Sequence, residues 1–174
     1  KIINIGRLTD QKNQITILKA INSLKNRIKV KLIIIGRGNE KNNLQNYIKK
    51  NNLKDTIQIK DPNKNVFSYL KSADLFVLSS KYEGLPNVLL EALTLKKFII
   101  STNCPTGPKE ILLNGKGGLL FNVGNYNQLS EKILFYIKNK KKCEIKLKKS
   151  IKELRRFDYN FNLNQYLNLI KKYL

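Results

Sequence analysis

Glu83 and Glu91 bracket the segment richest in chemistry, Ser79-Ser80-Lys81-Tyr82-Glu83-Gly84-Leu85-Pro86-Asn87-Val88-Leu89-Leu90-Glu91-Ala92, which follows directly on the apolar run Asp74 to Leu78. Open α/β sheets hold their ligands at this kind of place, outside the carboxyl ends of the strands. Pro86 suits the first turn of a helix because its missing N–H is not needed there. That leaves the amides of Asn87, Val88 and Leu89 free at the positive end of the helix dipole, a site for an anion such as a diphosphate. Gly84 lets a ligand approach the backbone closely, and Glu83 can accept hydrogen bonds from hydroxyls lying over the helix end. The helix is apolar nearly all round (Val88, Leu89, Leu90, Ala92, Leu93, Leu95), so burial is expected, with Glu91 placing a carboxylate beside the Val88, Ala92, Leu95 stripe. A buried carboxylate needs partners. Vicinal sugar hydroxyls would supply two donors, as ribose does in nucleotide-binding folds, and a basic residue or a backbone amide would serve equally well.

A second candidate follows another apolar run: Gly6-Arg7-Leu8-Thr9-Asp10-Gln11-Lys12-Asn13-Gln14. Arg7 offers a planar fork that matches phosphate oxygens, and Lys12 a mobile point charge near the start of the next helix. Together they could clamp a diphosphate, although in so basic a chain a single loop cation is more often merely solvated. Gly36-Arg37-Gly38-Asn39-Glu40-Lys41 lacks the third glycine of the dinucleotide fingerprint, so no NAD enzyme is inferred. Asn103-Cys104-Pro105-Thr106-Gly107-Pro108-Lys109-Glu110 either faces the same crevice or is a tight turn whose prolines stop a strand.

These loops need a scaffold, and the pattern supplies one. Short apolar runs alternate with amphipathic stretches of helix length, the signature of β-α-β units feeding a doubly wound, mainly parallel α/β sheet. Strands are predicted at Ile2 to Ile5, Lys31 to Ile35, Ile57 to Ile59, Asp74 to Leu78, Phe98 to Ser101 and Gly118 to Phe121. Helices are predicted at Gln14 to Leu24, Glu40 to Asn51, Val66 to Ser72, Pro86 to Leu95 and Gln128 to Ile137, with helical segments through the basic stretch Lys138 to Arg156 and a last helix from about Asn162 to Tyr173. One domain over 1–156 is expected, with 157–174 as a terminal helix carrying Leu163, Tyr166, Leu167 and Ile170 on one side.

The chain has 34 Lys and Arg against 12 Asp and Glu, a formal net charge of +22, and no histidine. Such a field favours anionic partners. Lysine and asparagine are abundant throughout, however, and no nucleic-acid fingerprint or row of stacking aromatics accompanies them, so no nucleic-acid partner is expected. Cys104 and Cys143 form neither a disulfide framework nor a metal pair. No run approaches the roughly 20 apolar residues of a membrane span, and a cytoplasmic location is expected. The start at Lys1, without methionine, suggests a longer protein with an upstream domain.

The segment Glu83 to Glu91 resembles the E-x(7)-E motif of retaining GT-B glycosyltransferases, glycosyltransferase family 4. Gly6-Arg7-Leu8 with Lys12-Asn13, Ile33-Ile34-Ile35-Gly36-Arg37-Gly38, Ala73-Asp74-Leu75-Phe76-Val77-Leu78-Ser79-Ser80 and Pro105-Thr106-Gly107-Pro108-Lys109-Glu110-Ile111-Leu112 are similar to that family in the same order. The resemblance covers about Ile2 to Leu134. It implies the Rossmann-like C-terminal half of a GT-B fold that binds a nucleotide-diphosphate sugar. By position, Arg7 and Lys12 would bind the diphosphate and stabilise the departing nucleotide, with Gly6 in the same loop. Glu91 would hold the ribose, Glu83 would contact the donor sugar, and the backbone of Gly84, Leu85, Pro86, Asn87 and Val88 would meet phosphate and sugar. Ile59 and the loop to Pro62 would border the base.

No metal and no cofactor are expected, because cationic side chains and a helix N-terminus would do the electrostatic work at the leaving group. The turn at Cys104 to Pro108 is similar to that of bacterial enzymes building surface polysaccharide or lipid-linked oligosaccharide, which implies a UDP-sugar donor. The acceptor, a glycan or lipid-linked glycan, would be held by the N-terminal domain, to which the terminal helix would cross back, and the fragment alone is expected to be inactive. The stretch Lys138 to Arg156 could rest on the anionic inner face of the membrane or be a solvated tail. Two other readings stay open: a non-catalytic sugar-nucleotide-binding or epimerase-like relative, and a basic nucleic-acid-binding α/β domain.

Overall fold

The computed structural model describes residues 1–63 and 65–173. Among the described residues six strands form one wholly parallel sheet: β1 (Ile2–Ile5), β2 (Leu32–Ile35), β3 (Ile57–Lys60), β4 (Leu75–Leu78), β5 (Phe98–Thr102) and β6 (Leu119–Phe121), in spatial order β3-β2-β1-β4-β5-β6. The strands are runs of Ile, Leu, Val and Phe because both faces are covered. Alternate residues split accordingly. Ile2, Leu32, Ile34, Leu75, Val77 and Ile100 enter one core, and Ile3, Ile33, Ile35, Phe76, Leu78 and Ile99 the other.

The first core is closed by α1 (Gln14–Leu24), α2 (Lys41–Lys50) and α6 (Tyr126–Lys138), through Ile17, Ile21, Leu44, Ile48, Leu129 and Ile133. The second is closed by α3 (Val66–Lys71), α4 (Asn87–Thr94) and the short α5 (Pro108–Ile111), through Leu70, Leu89, Leu93 and Ile111. Helix α7 (Lys140–Lys152) joins the two layers: Cys143 is buried in the first core, and Leu147 packs against both.

The predicted elements are present, with boundaries moved by side chains that satisfy helix ends. Helix α6 starts at Tyr126 rather than Gln128 because the Asn125 carboxamide oxygen accepts the Gln128 amide at 2.9 Å. The last helix, α8 (Tyr159–Ile170), starts before Asn162 because Asp158 caps it, accepting the Phe161 amide at 2.8 Å. Leu163, Tyr166, Leu167 and Ile170 on α8 are exposed. Among the described residues no helix is long and apolar enough to cross a membrane.

Sheet growth runs outward from β1 to β3, then the chain returns to the other side of β1 and lays down β4. The loops after β1 and β4 therefore diverge from adjacent strand ends, which opens a crevice at the switch point of the topology.

Candidate functional site

The two loops predicted to carry chemistry meet at that crevice. After β1 the chain makes a short 3-10 turn, Asp10–Lys12, and Asn13 takes a left-handed conformation (φ 49°) that Asn tolerates better than most residues, before α1 begins. This brings Lys12 back toward the end of β4. Its Nζ lies 2.6 Å from Glu83 Oε1, and the two side chains are only 16% and 7% exposed. Lys12 is thus half of a nearly buried ion pair and not the solvated cation that base rates suggest. The Ser80 hydroxyl donates to the same Oε1 at 2.5 Å.

Backbone contacts lace the loops together. The Ser79 hydroxyl donates to the Lys12 carbonyl at 2.8 Å, the Lys81 amide to the Gln11 carbonyl at 2.8 Å, and the Gln11 carboxamide to the Tyr82 carbonyl at 3.1 Å.

Arg7 is exposed, and no hydrogen bond or ion pair engages its guanidinium among the described residues. Its backbone is fixed all the same. Gln14, buried at 1% exposure, donates from Nε2 to the Arg7 carbonyl at 2.8 Å. The flanking amides of Gly6 and Leu8 donate to the carbonyls of Ile35 (3.0 Å) and Arg37 (2.8 Å). The approach of these two loops needs glycine at 36, where a Cβ would sit 1.9 Å from the Gly6 carbonyl oxygen.

On the β4 side the structure corrects the expected helix start. Pro86 is the N-cap and not the first helical residue: its ψ of 96° is extended, and its carbonyl accepts the Leu89 amide at 2.9 Å. The tight turn therefore uses up one of the three amides predicted to be free. Those of Asn87 and Val88 have no acceptor among the described residues. Among the described residues nothing lies within 4 Å of a Cβ built on Gly84, so the backbone there is open, and Leu85 beside it is exposed.

Glu91 is half-buried, not buried, because α4 is covered on one side only, with Val88, Leu90 and Leu95 also partly exposed. Glu91 lies one turn beyond Asn87 on the same helix face. No hydrogen bond or ion pair occupies its carboxylate among the described residues, so neither a basic residue nor an amide takes the role left open for it.

The Pro105 to Pro108 turn belongs to the site. Thr106 donates its hydroxyl to the Glu83 carbonyl, and a Cβ on Gly107 (φ 33°) would lie 2.0 Å from the Gly84 oxygen and 2.5 Å from Pro86 Cδ. The turn is thus a buttress behind the Glu83–Pro86 loop. Thr102, at the end of β5, donates to the Ser80 carbonyl at 2.8 Å. Burial pushes the Cys104 thiol above its ordinary pKa.

Ile59 is not brought to this cluster. It sits in β3, at the sheet edge two strands from β1, with its side chain packed on the α1 and α2 core. Reading the sequence missed Gln11, Ser79, Ser80, Thr102 and Thr106. The usable signal was polar residues ending otherwise apolar buried strands: Ser79, Ser80 and Thr102 are fully buried, and a buried hydroxyl must have a partner. Among the described residues no three His, Cys, Asp or Glu side chains stand together as a metal site would require. A concavity of about 610 Å³ lies at the opposite end of the strands, lined by Lys25, Ile28, Val30, Asp55 and Thr56.

Residues 1–153 match the family described as glycosyl transferases group 1. An uncharacterised glycosyltransferase of Methanocaldococcus jannaschii is 47% identical over 111 residues, covering 63% of this chain and 27% of the relative. The N-acetylgalactosamine-N,N'-diacetylbacillosaminyl-diphospho-undecaprenol 4-alpha-N-acetylgalactosaminyltransferase of Campylobacter jejuni is 31% identical over 128 residues, covering 74% of this chain and 34% of that protein. The chain spans about a third or less of these relatives. In structure, the G117R mutant of Staphylococcus aureus TarM, in complex with fondaparinux, alpha-GlcNAc-glycerol and UDP, superposes with a TM-score of 0.84 at 25% identity, over 97% of this chain and 35% of that chain. The chain belongs to the glycosyl transferases group 1 family, with the Rossmann-like α/β fold of its GT-B neighbours.

Proposed function

We propose that this chain is the donor-binding part of a retaining, family 4 glycosyltransferase that uses a nucleoside diphosphate sugar, with UDP-sugar the preferred donor. The observation that carries the reading is the set of groups left without partners, among the described residues, on the segments that follow the adjacent strands β1 and β4. Among the described residues Arg7 has no anionic partner, the amides of Asn87 and Val88 have no acceptor, and Glu91 has no donor. A nucleoside diphosphate supplies what each lacks: phosphate oxygens for the guanidinium and amides, and vicinal ribose hydroxyls for the carboxylate.

The open backbone at Gly84 allows phosphate and sugar to lie against the loop, and Glu83 faces the donor sugar. When the glycosidic bond to phosphate breaks, negative charge develops on the departing diphosphate. Arg7, Lys12 and the α4 N-terminus then stabilise it from positions fixed before the reaction, without a metal. Lys12 performs this while paired to Glu83, which holds the ammonium at the crevice floor. The acceptor, a glycan or a lipid-linked glycan, is held by the part of the longer enzyme that lies outside this chain, at the inner face of the membrane. The named activity of the Campylobacter relative and the UDP in the TarM complex support this choice of donor and acceptor class.

Calorimetric titration with UDP, GDP and ADP, and with UDP-N-acetylhexosamine, tests it. Saturable binding of UDP over the other nucleotides, weakened in Arg7→Ala and Glu91→Ala, is expected. Equal binding of all three nucleotides that disappears at high salt would leave only a basic surface.

A further inference from the structure

The proposed donor site contains a carboxylate whose two oxygens are not equivalent. Glu83 Oε1 receives both available donors, Lys12 Nζ at 2.6 Å and Ser80 Oγ at 2.5 Å. Oε2 receives none among the described residues. It is not one of the fully buried atoms lacking a partner, so what little exposure Glu83 keeps reaches Oε2. The carboxylate is thereby anchored by one oxygen and presented by the other.

Of the two anchors, Lys12 sits on a different loop and has a charge that a diphosphate would also attract. Ser80 is fixed: it is fully buried, three residues before Glu83, and its own carbonyl accepts the Thr102 hydroxyl at 2.8 Å. The Glu83 carbonyl is held from behind by Thr106, so backbone and side chain of Glu83 are each pinned by a hydroxyl.

We infer that Ser80 is a positioning residue for the donor sugar, holding Glu83 Oε1 so that Oε2 faces the crevice as the acceptor for a sugar hydroxyl. The inference rests on the donor-site reading above and extends it to a residue that does not touch the ligand. The Ser80 hydroxyl, donating to the same charged oxygen as Lys12, gives Glu83 a second anchor, so sugar recognition does not depend on the ion pair alone.

The test is a thermodynamic cycle in this chain with two ligands, UDP and UDP-N-acetylglucosamine, by calorimetry. The quantity read is the ratio of the two affinities, which isolates the sugar's contribution from that of the nucleotide. Ser80→Ala is expected to lower the sugar's contribution about tenfold, the scale of one hydrogen bond to a charged group. Ser80→Thr, which keeps the hydroxyl, is expected to restore it. In a Glu83→Ala background, Ser80→Ala is expected to change the ratio by less than about twofold, because Ser80 would then have nothing to position.

A purely structural role would weaken both ligands together in both backgrounds and leave the ratio unmoved, which would overturn the inference while the donor site stands. Absence of UDP binding in the unsubstituted chain would overturn the donor-site reading and the inference with it. Circular dichroism of each variant establishes that the fold is retained. If Ser80→Ala does not fold, Ser80→Cys, with its weaker donor, must show the reduced ratio for the inference to hold.

Discussion

The Lys12–Glu83 pair tests whether the crevice floor is built as described, and its strength can be worked from the geometry. At 2.6 Å and an effective dielectric near 20, the gross attraction is about 6 kcal/mol, most of it offset by taking two charges out of water. Removing one partner strands the other. With side-chain exposures of 16% and 7%, some solvation remains, and Ser80 still bonds Glu83, so each single replacement should cost roughly 2 kcal/mol, below the 3 to 5 of a fully buried pair. Lys12→Met and Glu83→Gln are the variants to make, since both keep the volume. Removing both charges leaves no stranded ion, and the double variant should also lose only about 2 kcal/mol, a coupling of about 2 kcal/mol. Urea unfolding at pH 7 measures all four proteins. In a domain of this size each single loss would lower Tm by about 4 to 8 °C. Additivity within about 0.5 kcal/mol would show that the two groups do not interact in solution and that the ion pair does not form.

Other expectations follow from single contacts. Gly107→Ala puts a methyl 2.0 Å from the Gly84 oxygen at a φ of 33°, so the buttress must move. UDP affinity should fall at least tenfold, with a loss of stability of about 1 to 2 kcal/mol from the backbone conformation alone. Unaltered nucleotide binding would show that the turn does not support the loop. Phe76→Ala, in the middle strand of the second core with no exposure, should cost about 3 to 5 kcal/mol by urea unfolding. The thiols of Cys104 and Cys143 are both pushed above their ordinary pKa by burial. Folding keeps them protonated, so stability from this source is intact below the ordinary thiol range and declines as pH rises through it, when only the unfolded chain ionises. Cys104→Ser with Cys143→Ala should flatten that decline, measured by urea midpoints from pH 7.5 to 9.5, and equal slopes would contradict it. At pH 8 a thiol reagent should modify both cysteines quickly only after unfolding.

Much of this was legible in the residues, and the gaps have physical causes. Continuous apolar runs such as Leu32 to Ile35 predict strands buried on both faces, and helix α1 was placed at its observed bounds because its Ile17, Leu18, Ile21 and Leu24 spacing is unambiguous. The Glu83 and Lys12 loops could be assigned to one crevice because parallel strands deliver their following loops to the same edge. Their ion pair could not, since it depends on Asn13 turning left-handed and returning the loop. The all-apolar appearance of α4 overstated its burial because hydrophobicity alone does not say how completely a neighbour covers a helix. Pro86 fits N1 by propensity, yet the adjacent buttress at Gly107 packs on it and its ψ is extended, so it caps instead. Ser80, Thr102 and Thr106 act through single hydroxyls, which leave no periodicity to read.

The location of nucleotide binding is the point on which the rest depends, and two ends of the sheet compete for it. The strand C-termini offer charges and amides on an open crevice, and the N-termini offer a hollow of about 610 Å³ beside Lys25 and Thr56. Titrating isotope-labelled chain with UDP and following the backbone amides by NMR decides between them. Binding at the strand C-termini gives saturable shifts at Arg7, Lys12, Gly84, Asn87, Val88 and Glu91, with little change from Lys25 to Lys31. Shifts concentrated at Lys25 to Lys31 and Asp55 to Gln58, with the Glu83 loop silent, would contradict it.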